Sequence, residues 1–472
     1  MSLHNKFKYL LLLSILHSQI TTSQESKFED VPLSDLSAFK DPGKNWIVTS
    51  KFFNDYAEPW NLKKLESGTG MVINDLTDRH HSHLVTKKEF GDIEVELDFM
   101  MDKGSNSGVY IEGRYEVQLF DSWLNPDPTF TDCGGIYQRW DESRTVKGYE
   151  GMGPLANASR APGLWQHLRI RFQAPRFDDN GNKTANARFE EIYLNGILVQ
   201  QQVEVSGPTR SSIFDDEKPS GPLVLQGDLG KVAFRNIRYR PLGTSTDSKN
   251  HVGPGAIVVK PDDKPYLLRS FMMFGDKKLD YIISMGAPQG LNYSYDLREG
   301  AWLQVWRGGF IDATDMWHNR GESQLAVPMG SVIPFADTPT VAQLSDTNMA
   351  WPDSLAFDDL HYDGYQLDKK GIPTFKYMVN GTKVSDKISP SSDGSGLDRL
   401  LTADNPSGDL YCRVISAHKI ELVDKGLYLV DGSYYIKMDR HFEPIIRSNG
   451  QGQEMLVSLK NPQSPLTYSV IW

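Results

Sequence analysis

Cysteine is nearly absent from this chain of 472 residues, which contains only Cys133 and Cys412. Two cysteines cannot make a disulfide framework, and no C-x-x-C spacing is present. Zinc-ribbon and thioredoxin-like redox sites are therefore excluded. The sequence leaves a bond between Cys133 and Cys412 open, but two unpaired thiols are the favoured interpretation.

Positive charge and long apolar runs are also scarce. Lys and Arg number 50 against 61 Asp and Glu, a formal net charge of −11. The chain lacks the positive field that gathers phosphates, so we expect neither nucleic acid nor anionic lipid as a partner. The apolar run over residues 10–16 is too short for a helix that spans a bilayer, and no membrane span is expected.

That short run has the features of a targeting signal. Lys6 and Lys8 precede it, and the polar residues 21–24 follow it. A basic start, a short apolar core and small or polar residues after it are typical of a secretory signal peptide. We expect a signal peptide over residues 1–24 and export to the periplasm, the cell surface or the medium.

Glycine, proline and aromatic residues are abundant, with 40 Gly, 26 Pro, 10 Trp, 20 Tyr and 21 Phe. Strands with alternating polar and apolar residues recur along the chain, joined by turn residues, and helical stripes are few. The pattern predicts an all-β protein with a sandwich or jelly-roll domain over residues 25–242. A polar stretch at 243–253 reads as a linker, followed by a β-rich accessory domain of sandwich type over 254–472.

Residues 104–122 form the most informative segment. Read as one strand, its apolar residues pack on the core and its other face carries a row of five polar or aromatic side chains, namely Tyr110, Glu112, Arg114, Glu116 and Gln118. Such a row offers acceptors, a planar cation and an aromatic edge, which suit the hydroxyls of a sugar. A solvated face with cross-strand ion pairs is the alternative.

The spacing of carboxylates along this predicted strand disfavours an ordinary two-carboxylate glycosidase. Glu112 and Glu116 are four residues apart, so their backbones would lie about 13 Å apart at roughly 3.3 Å per residue. Retaining enzymes hold their carboxyl groups about 5–5.5 Å apart and inverting enzymes about 6.5–9.5 Å apart.

Short motifs follow one another in a fixed order along residues 28–242, and they are Asn106-Ser107-Gly108, Gly113 to Gln118, Asp121-Ser122, Gly135-Ile136-Tyr137, Pro162 to Trp165, Asn195-Gly196 and Gly221 to Gln226. By these motifs, the segment resembles the 3-keto-disaccharide hydrolase family, formerly a domain of unknown function. The resemblance implies a concanavalin A-like jelly roll that binds sugar on its concave sheet. It also implies cleavage of glycosides already oxidised to a ketone at C3.

This chemistry suggests roles for the polar row. A 3-ketone acidifies the C2 hydrogen, so a base can remove it, the aglycone can leave C1, and water can add later. Glu116 is our candidate general acid/base, Arg114 a stabiliser of negative charge, and Asp121 a weaker catalytic candidate. The expected substrate-binding residues are Asn106, Tyr110, Glu112, Gln118 and Tyr137.

The chain departs from the family pattern at one place. Family members often carry an Asp-His pair after the Leu-Gln of a late strand, but here Gln226 is followed by Gly227, Asp228 and Leu229. No cofactor is certain. A divalent metal would serve enolisation, with His81 and His83 as weak ligand candidates on a shared strand face, although a surface loop is the favoured interpretation.

Residues 254–472 are less informative. Trp302 and Trp306 lie in a dense aromatic run that could form a second carbohydrate surface, although core packing is favoured. This block resembles a β-rich module that accompanies exported bacterial sugar-oxidising dehydrogenases, which suggests such an enzyme as an upstream partner.

Taken together, the sequence predicts an exported enzyme that acts on oxidised glycosides. A carbohydrate-binding protein without catalysis, using the same concave sheet, is the alternative. An interaction scaffold is a third possibility.

Overall fold

The structure is a computed structural model that describes residues 26–57, 65–76, 81–242, 256–317, 324–406, 409–460 and 465–472. The expected signal peptide and linker lie outside these ranges, so both stay predictions, as does the domain boundary. The regular secondary structure of the described residues is almost entirely β-strand, with one short helix, α1 (Thr314–Trp317). No helix among them is long and apolar enough to cross a membrane.

The N-terminal half contains seventeen strands within its described residues. Their bounds are β1 (Glu29–Asp30), β2 (Phe39–Lys40), β3 (Trp46–Lys51), β4 (Glu66–Asn74), β5 (Leu84–Phe90), β6 (Ile93–Met101), β7 (Asn106–Ile111), β8 (Tyr115–Phe120), β9 (Arg139–Trp140), β10 (Gly148–Tyr149), β11 (Gln166–Gln173), β12 (Arg176–Phe177), β13 (Lys183–Ala185), β14 (Ala187–Leu194), β15 (Ile197–Val205), β16 (Gly221–Leu225) and β17 (Val232–Pro241).

Two antiparallel sheets form the sandwich of this half. The larger sheet has the order β15-β14-β11-β6-β17-β4-β3, with β1 paired to β17, and the smaller sheet has the order β2-β5-β16-β7-β8. Alternate residues of both sheets meet in one apolar core, for example Leu97 and Phe99 from β6 with Val109 and Val117 from β7 and β8. The predicted all-β sandwich is confirmed.

The outer face of the larger sheet explains the charged half of the alternating pattern. Glu94 on β6 is almost fully buried beneath three arginines, and its carboxylate pairs with Arg169, Arg171 and Arg240. Glu96 pairs with Arg238 in the same way. Opposite charges face each other across neighbouring strands, so the polar positions stabilise strand pairing on this face as the apolar positions do in the core.

The C-terminal half is a second all-β unit. Its strands are β18 (Val258–Val259), β19 (Tyr266–Phe274), β20 (Lys277–Gly286), β21 (Leu291–Asp296), β22 (Ala301–Asp312), β23 (Val327–Gly330), β24 (Ile333–Pro334), β25 (Val341–Gln343), β26 (Leu360–Leu367), β27 (Pro373–Val379), β28 (Thr382–Pro390), β29 (Gly396–Asp404), β30 (Leu410–Ala417), β31 (Ile420–Asp424), β32 (Leu427–Val430), β33 (Tyr434–Met438), β34 (Ile445–Ser448), β35 (Gln453–Ser458) and β36 (Leu466–Ile471).

Three sheets make up this half. One has the order β18-β22-β21-β20-β19 with β23 and β24 paired to β22, one has the order β25-β30-β35-β34, and the largest runs β26-β27-β28-β29-β36-β33-β32-β31. Trp302 and Trp306 are buried in apolar clusters of this half. Core packing is therefore confirmed for both, and the hypothesis of a carbohydrate surface formed by these two rings is wrong.

The two halves touch each other. Tyr435 on β33 donates its hydroxyl hydrogen toward the carbonyls of Asn54 (3.2 Å) and Pro162 (3.4 Å). A mixed apolar cluster combines Trp123 and Leu164 with residues of β32, β33 and β36. Cys133 and Cys412 are both buried and free, so the unpaired interpretation is confirmed.

Candidate functional site

The segment that we expected to be one strand is a hairpin. Strands β7 and β8 pair antiparallel, and the chain reverses at residues 112–114. The Arg114 amide donates to the Ile111 carbonyl at 3.0 Å, and Glu112 and Gly113 have φ values of 56° and 66°. Glycine adopts such positive φ values most easily, and Gly113 occupies one of the two positions. The prediction of an extended ribbon over residues 110–118 is therefore wrong.

The alternating pattern led to a wrong prediction because the pattern continues through the turn. Ile111 pairs with Tyr115, so three residues lie between the paired positions. Side chains on both strands thus keep the same parity, and Ile111, Tyr115 and Val117 all face the core. A period-two pattern continues unbroken through such a turn, and periodicity alone cannot distinguish it from a continuous strand.

Four of the predicted residues still share one face. Tyr110 lies opposite Glu116 and Gly108 opposite Gln118 across the hairpin, while Asn106 lies opposite Phe120. The Gln118 side-chain amide donates to the Asn106 side-chain oxygen at 3.1 Å. Asn106, Tyr110, Glu116 and Gln118 therefore form one polar surface on the side of the smaller sheet that faces away from the core.

Glu116 is the central group of this surface. It is only 3% exposed, and burial raises the pKa of its carboxyl group to about 8, while a hydrogen bond with the Tyr110 side chain acts to lower that pKa. The nearby Asp228 carboxylate raises it further. A Cβ atom on Gly108 would lie 2.3 Å from Oε1 of Glu116. The carboxyl group of Glu116 therefore occupies space that any larger residue at position 108 would fill.

An imidazole and a carboxylate lie close to each other near the end of β16, and the carboxylate, Asp228, acts electrostatically on Glu116. His83 Nδ1 lies 4.0 Å from Oδ1 of Asp228 and accepts a hydrogen bond from the Gly227 amide at 3.2 Å. Because Nδ1 is an acceptor there, Nε2 carries the proton of the neutral ring. His83 was considered only as a metal ligand. Its place beside Asp228 results from the pairing of β5 with β16, which no local motif reveals.

The rim of the surface is more open than its floor. The side chains of His83 and Asp228 are 23% and 43% exposed. Tyr137 is half-buried, and its amide donates to the Glu116 carbonyl at 3.1 Å. The buried side-chain oxygen of Gln226 has no hydrogen-bond partner among the described residues. Gln226 is a floor residue that the sequence analysis did not select.

Arg114 lies away from this surface. Its Nε donates to the Asp216 carbonyl (2.5 Å), its Nη2 to the Asp216 carboxylate (2.6 Å) and its Nη1 to the Glu112 carbonyl (2.9 Å). The guanidinium also lies 4.7 Å from the ring centre of Phe214. The expectation that Arg114 shares a face with Glu116 is wrong, because Arg114 belongs to the turn and anchors the 214–216 loop.

Glu112 also belongs to the turn. It is buried, and neither carboxylate oxygen has a hydrogen-bond partner within the described residues. Burial raises its pKa to about 8, with the Arg114 charge acting in the opposite direction. The separation of Glu112 and Glu116 calculated for an extended strand does not apply to a hairpin. It therefore does not disfavour a two-carboxylate mechanism.

Asp121 lies away from Glu116, at a cavity whose lining does not include Glu116. It follows the end of β8, five residues and about 16 Å along the strand direction from Glu116. Its carboxylate accepts a hydrogen bond from the Gly104 amide at 2.7 Å, and burial raises its pKa. It lines a cavity of about 700 Å³ together with Trp123 and Asp393, which belong to different halves.

Within the described residues, the two candidate metal ligands are not part of a group that could hold a metal ion. His81 and His83 precede β5 instead of sharing a strand face, and His81 Nε2 lies 3.2 Å from the Leu76 carbonyl. The part of the chain that the structure describes contains no group of three His, Cys, Asp or Glu side chains that could hold a metal ion. His83 and Asp228 would supply only two ligands.

The fold and the polar surface define an all-β sandwich with a buried, protonatable carboxyl group on its smaller sheet. Residues 34–240 match the model of the 3-keto-alpha-glucoside-1,2-lyase-like domain family. This match confirms the resemblance for the N-terminal half of the chain.

Comparisons with solved structures give weaker likenesses. A protein from Parabacteroides distasonis ATCC 8503, assigned as a glycosyl hydrolase, is 23% identical and covers 45% of this chain and 84% of its own, with a TM-score of 0.27. The carbohydrate-binding module CBM66 from Bacillus subtilis is 11% identical. The match covers 42% of this chain and 95% of the module, with a TM-score of 0.20. These scores are low and carry no argument about this chain. No curated protein matches it.

Proposed function

We propose that the N-terminal half cleaves 3-keto-glycosides by elimination across C1 and C2, followed by addition of water. The family whose model residues 34–240 match is related to 1,2-lyases of 3-keto-alpha-glucosides. The observation that carries the proposal is Glu116, a buried carboxyl group with a raised pKa on a polar surface of sugar-binding residue types.

The reaction divides into two balanced steps. A base takes the C2 proton, the electron pair forms the C1–C2 double bond through an enolate, and the C1–O bond breaks as the aglycone oxygen gains a proton. Water then adds back across C1 and C2, which yields the free 3-keto-sugar and makes the net reaction a hydrolysis. No oxidant or reductant is consumed.

Glu116 is the proposed base. A pKa near 8 makes its carboxylate a much stronger base than an exposed glutamate, while keeping part of it ionised at neutral pH. The Tyr110 side chain hydrogen-bonds the same carboxyl group and holds its orientation. Asn106, Gln118 and Tyr137 flank it and are the proposed contacts for sugar hydroxyls.

His83 is the proposed donor to the oxygen on C3. Its Nδ1 accepts the Gly227 amide hydrogen, so the proton on Nε2 is free to donate to the ketone and then to the enolate. Asp228, 4.0 Å away, would stabilise positive charge on this ring. The proposed steps are assigned to these side chains.

The substrate class implies an earlier oxidation. A 3-keto-glycoside must come from a reaction that oxidises the C3 hydroxyl, so a sugar-oxidising dehydrogenase is the proposed upstream partner. Export to the compartment where such an oxidation occurs is part of the same proposal, based on the signal-like residues 1–24.

Product release from a 3-keto-glucoside tests the proposal. Glu116→Gln should lower turnover by about 10²- to 10⁴-fold, the usual contribution of a positioned acid or base. Glu112→Gln is the matched control, because Glu112 is also buried with a raised pKa but lies in the turn. Deuterium at C2 should slow the wild-type enzyme. Full turnover by Glu116→Gln would remove the central assignment.

Carbohydrate binding without turnover is the second candidate. The low exposure of Glu116 favours it, since a base must reach the C2 hydrogen of its substrate. Saturable binding of the 3-keto-glucoside with no release of aglycone, with or without a chelator, would support this candidate over the enzyme.

A further inference from the structure

A second cavity lies between the two halves. It has a volume of about 640 Å³ and is bounded on one side by the loop from Trp123 to Pro128 and on the other by residues of β22. Cavities of this size at the boundary between domains commonly hold small ligands. Neither Glu116 nor Tyr110 lines it, so it is separate from the polar surface of the smaller sheet.

Arg307, on β22, is a buried cation in the lining of this cavity. It is 8% exposed, and burial lowers the pKa of its guanidinium to about 10. Among the described residues, its hydrogen-bond acceptors are the backbone carbonyls of Gly394 and Ser395, and its Nε has no partner. The Asp393 charge acts on this guanidinium, but no carboxylate hydrogen-bonds it among the described residues. An anion in the cavity would add the charge-assisted contact that Arg307 lacks.

Lys260 and an apolar rim complete the lining. Lys260 is exposed, and the cavity lining contains two cations, Arg307 and Lys260, against one acid, Asp127 on the opposite loop. Leu124 and Leu155 are 48% and 68% exposed at the same cavity. Exposed apolar side chains beside polar donors suit a sugar ring, whose C–H face is apolar and whose edge carries hydroxyls.

We propose that this cleft binds an acidic saccharide, with the carboxylate of a uronate held by Arg307 and Lys260 and the sugar ring against Leu124 and Leu155. Arg307 is held in place because its guanidinium lies 5.4 Å from the ring centre of Trp123 and 5.5 Å from that of Trp472. One ring comes from each half, so the site requires both halves in contact.

Calorimetric titration of the full chain with trigalacturonate tests the proposal. The wild type should bind saturably at low ionic strength, while neutral maltotriose and free acetate should not bind. Lys260→Gln should weaken binding about tenfold, as expected for loss of one charge-assisted contact. Lys264→Gln, an exposed lysine outside the cavity lining, is the matched control and should bind as the wild type does.

Two further variants test the site without replacing Arg307, which is buried. Leu155→Asp places a negative charge at an exposed rim position and should abolish trigalacturonate binding. Glu116→Gln should leave it unchanged, which separates this site from the proposed active site. Absence of binding, equal binding of maltotriose, equal effects of the two lysine variants, or loss of binding in Glu116→Gln would each overturn the proposal.

Discussion

Glu116 in the N-terminal half and Asp386 in the C-terminal half are both buried carboxyl groups, but their neighbours differ. Asp386 is fully buried between Arg399, which approaches it to 2.9 Å through Nε, and Tyr295, whose hydroxyl donates to it at 2.9 Å. Glu116 has the hydrogen bond with Tyr110 and, within the described residues, no cation beside it.

The difference separates two uses of a buried acid. The charge of Asp386 is balanced by Arg399 on the neighbouring strand β29, so the pair is a stable part of the core. Ionised Glu116 would have no such balance, and the fold therefore favours its protonated form. A carboxyl group whose pKa is raised toward neutral pH in this way is typical of a functional site.

The largest expected effect comes from breaking the balanced pair. Arg399→Met would leave Asp386 buried without its cation and should lower the free energy of unfolding by about 3–5 kcal/mol. Denaturant titration followed by tryptophan fluorescence measures this loss.

The double variant Asp386→Leu with Arg399→Met is the control for that loss. Replacing both charges by apolar side chains should recover most of the stability. If the double variant were as unstable as Arg399→Met, the loss would come from packing and not from the uncompensated charge.

The next effect is a pH dependence of stability that Glu116 alone should produce. Its folded-state pKa is raised from 4.5 to about 8, so its stabilising contribution is fully present below pH 4.5 and is lost as pH rises through about 8. Between these values, the free energy of unfolding of wild type relative to Glu116→Gln should fall by up to about 1.4 kcal/mol per pH unit.

Glu112 titrates over the same range but is present in both proteins, so it cancels from this difference. The same raised pKa predicts that the turnover of the wild type rises with pH up to about 8, because the base must be ionised. A difference in stability that did not change with pH would show that Glu116 titrates normally.

The smallest effect concerns the space over Gly108. Gly108→Ala should displace the Glu116 carboxyl group, because the added Cβ would lie 2.3 Å from its Oε1. We expect turnover to fall about tenfold, since small misplacements of a catalytic group are expensive. Gly104→Ala, where the φ of 69° strains any side chain but the added Cβ meets nothing within 4 Å, tests whether destabilisation of the fold by itself lowers turnover.

Much of the fold could be predicted from the sequence, because polar and apolar residues alternate along several long strands, such as β6 and β11. Ile93 to Phe99 showed both the buried and the charged face of β6 correctly. The candidate site was predicted only in part. Asn106, Tyr110, Glu116 and Gln118 shared a face as expected, but Arg114 and Glu112 did not, because the turn was hidden within the pattern.

The remaining site residues could not be found locally. His83 and Asp228 are far apart in sequence and meet only through the pairing of β5 with β16, which depends on the whole sheet. Burial of Glu116 also depends on segments outside the hairpin, such as Thr209, whose hydroxyl accepts the Glu116 amide hydrogen at 3.1 Å. The raised pKa follows from that burial, so it is a property of the assembled domain.

The three-residue turn between β7 and β8 also limits how this domain can vary. A single residue deleted or inserted at 112–114 would turn the side chains of β8 over or shift its register against β7. Val117 would then stand where Glu116 is, and the acid would be directed into the hydrocarbon interior of the sandwich. Homologues that keep the acid on the polar surface should therefore differ in length at this turn by even numbers of residues.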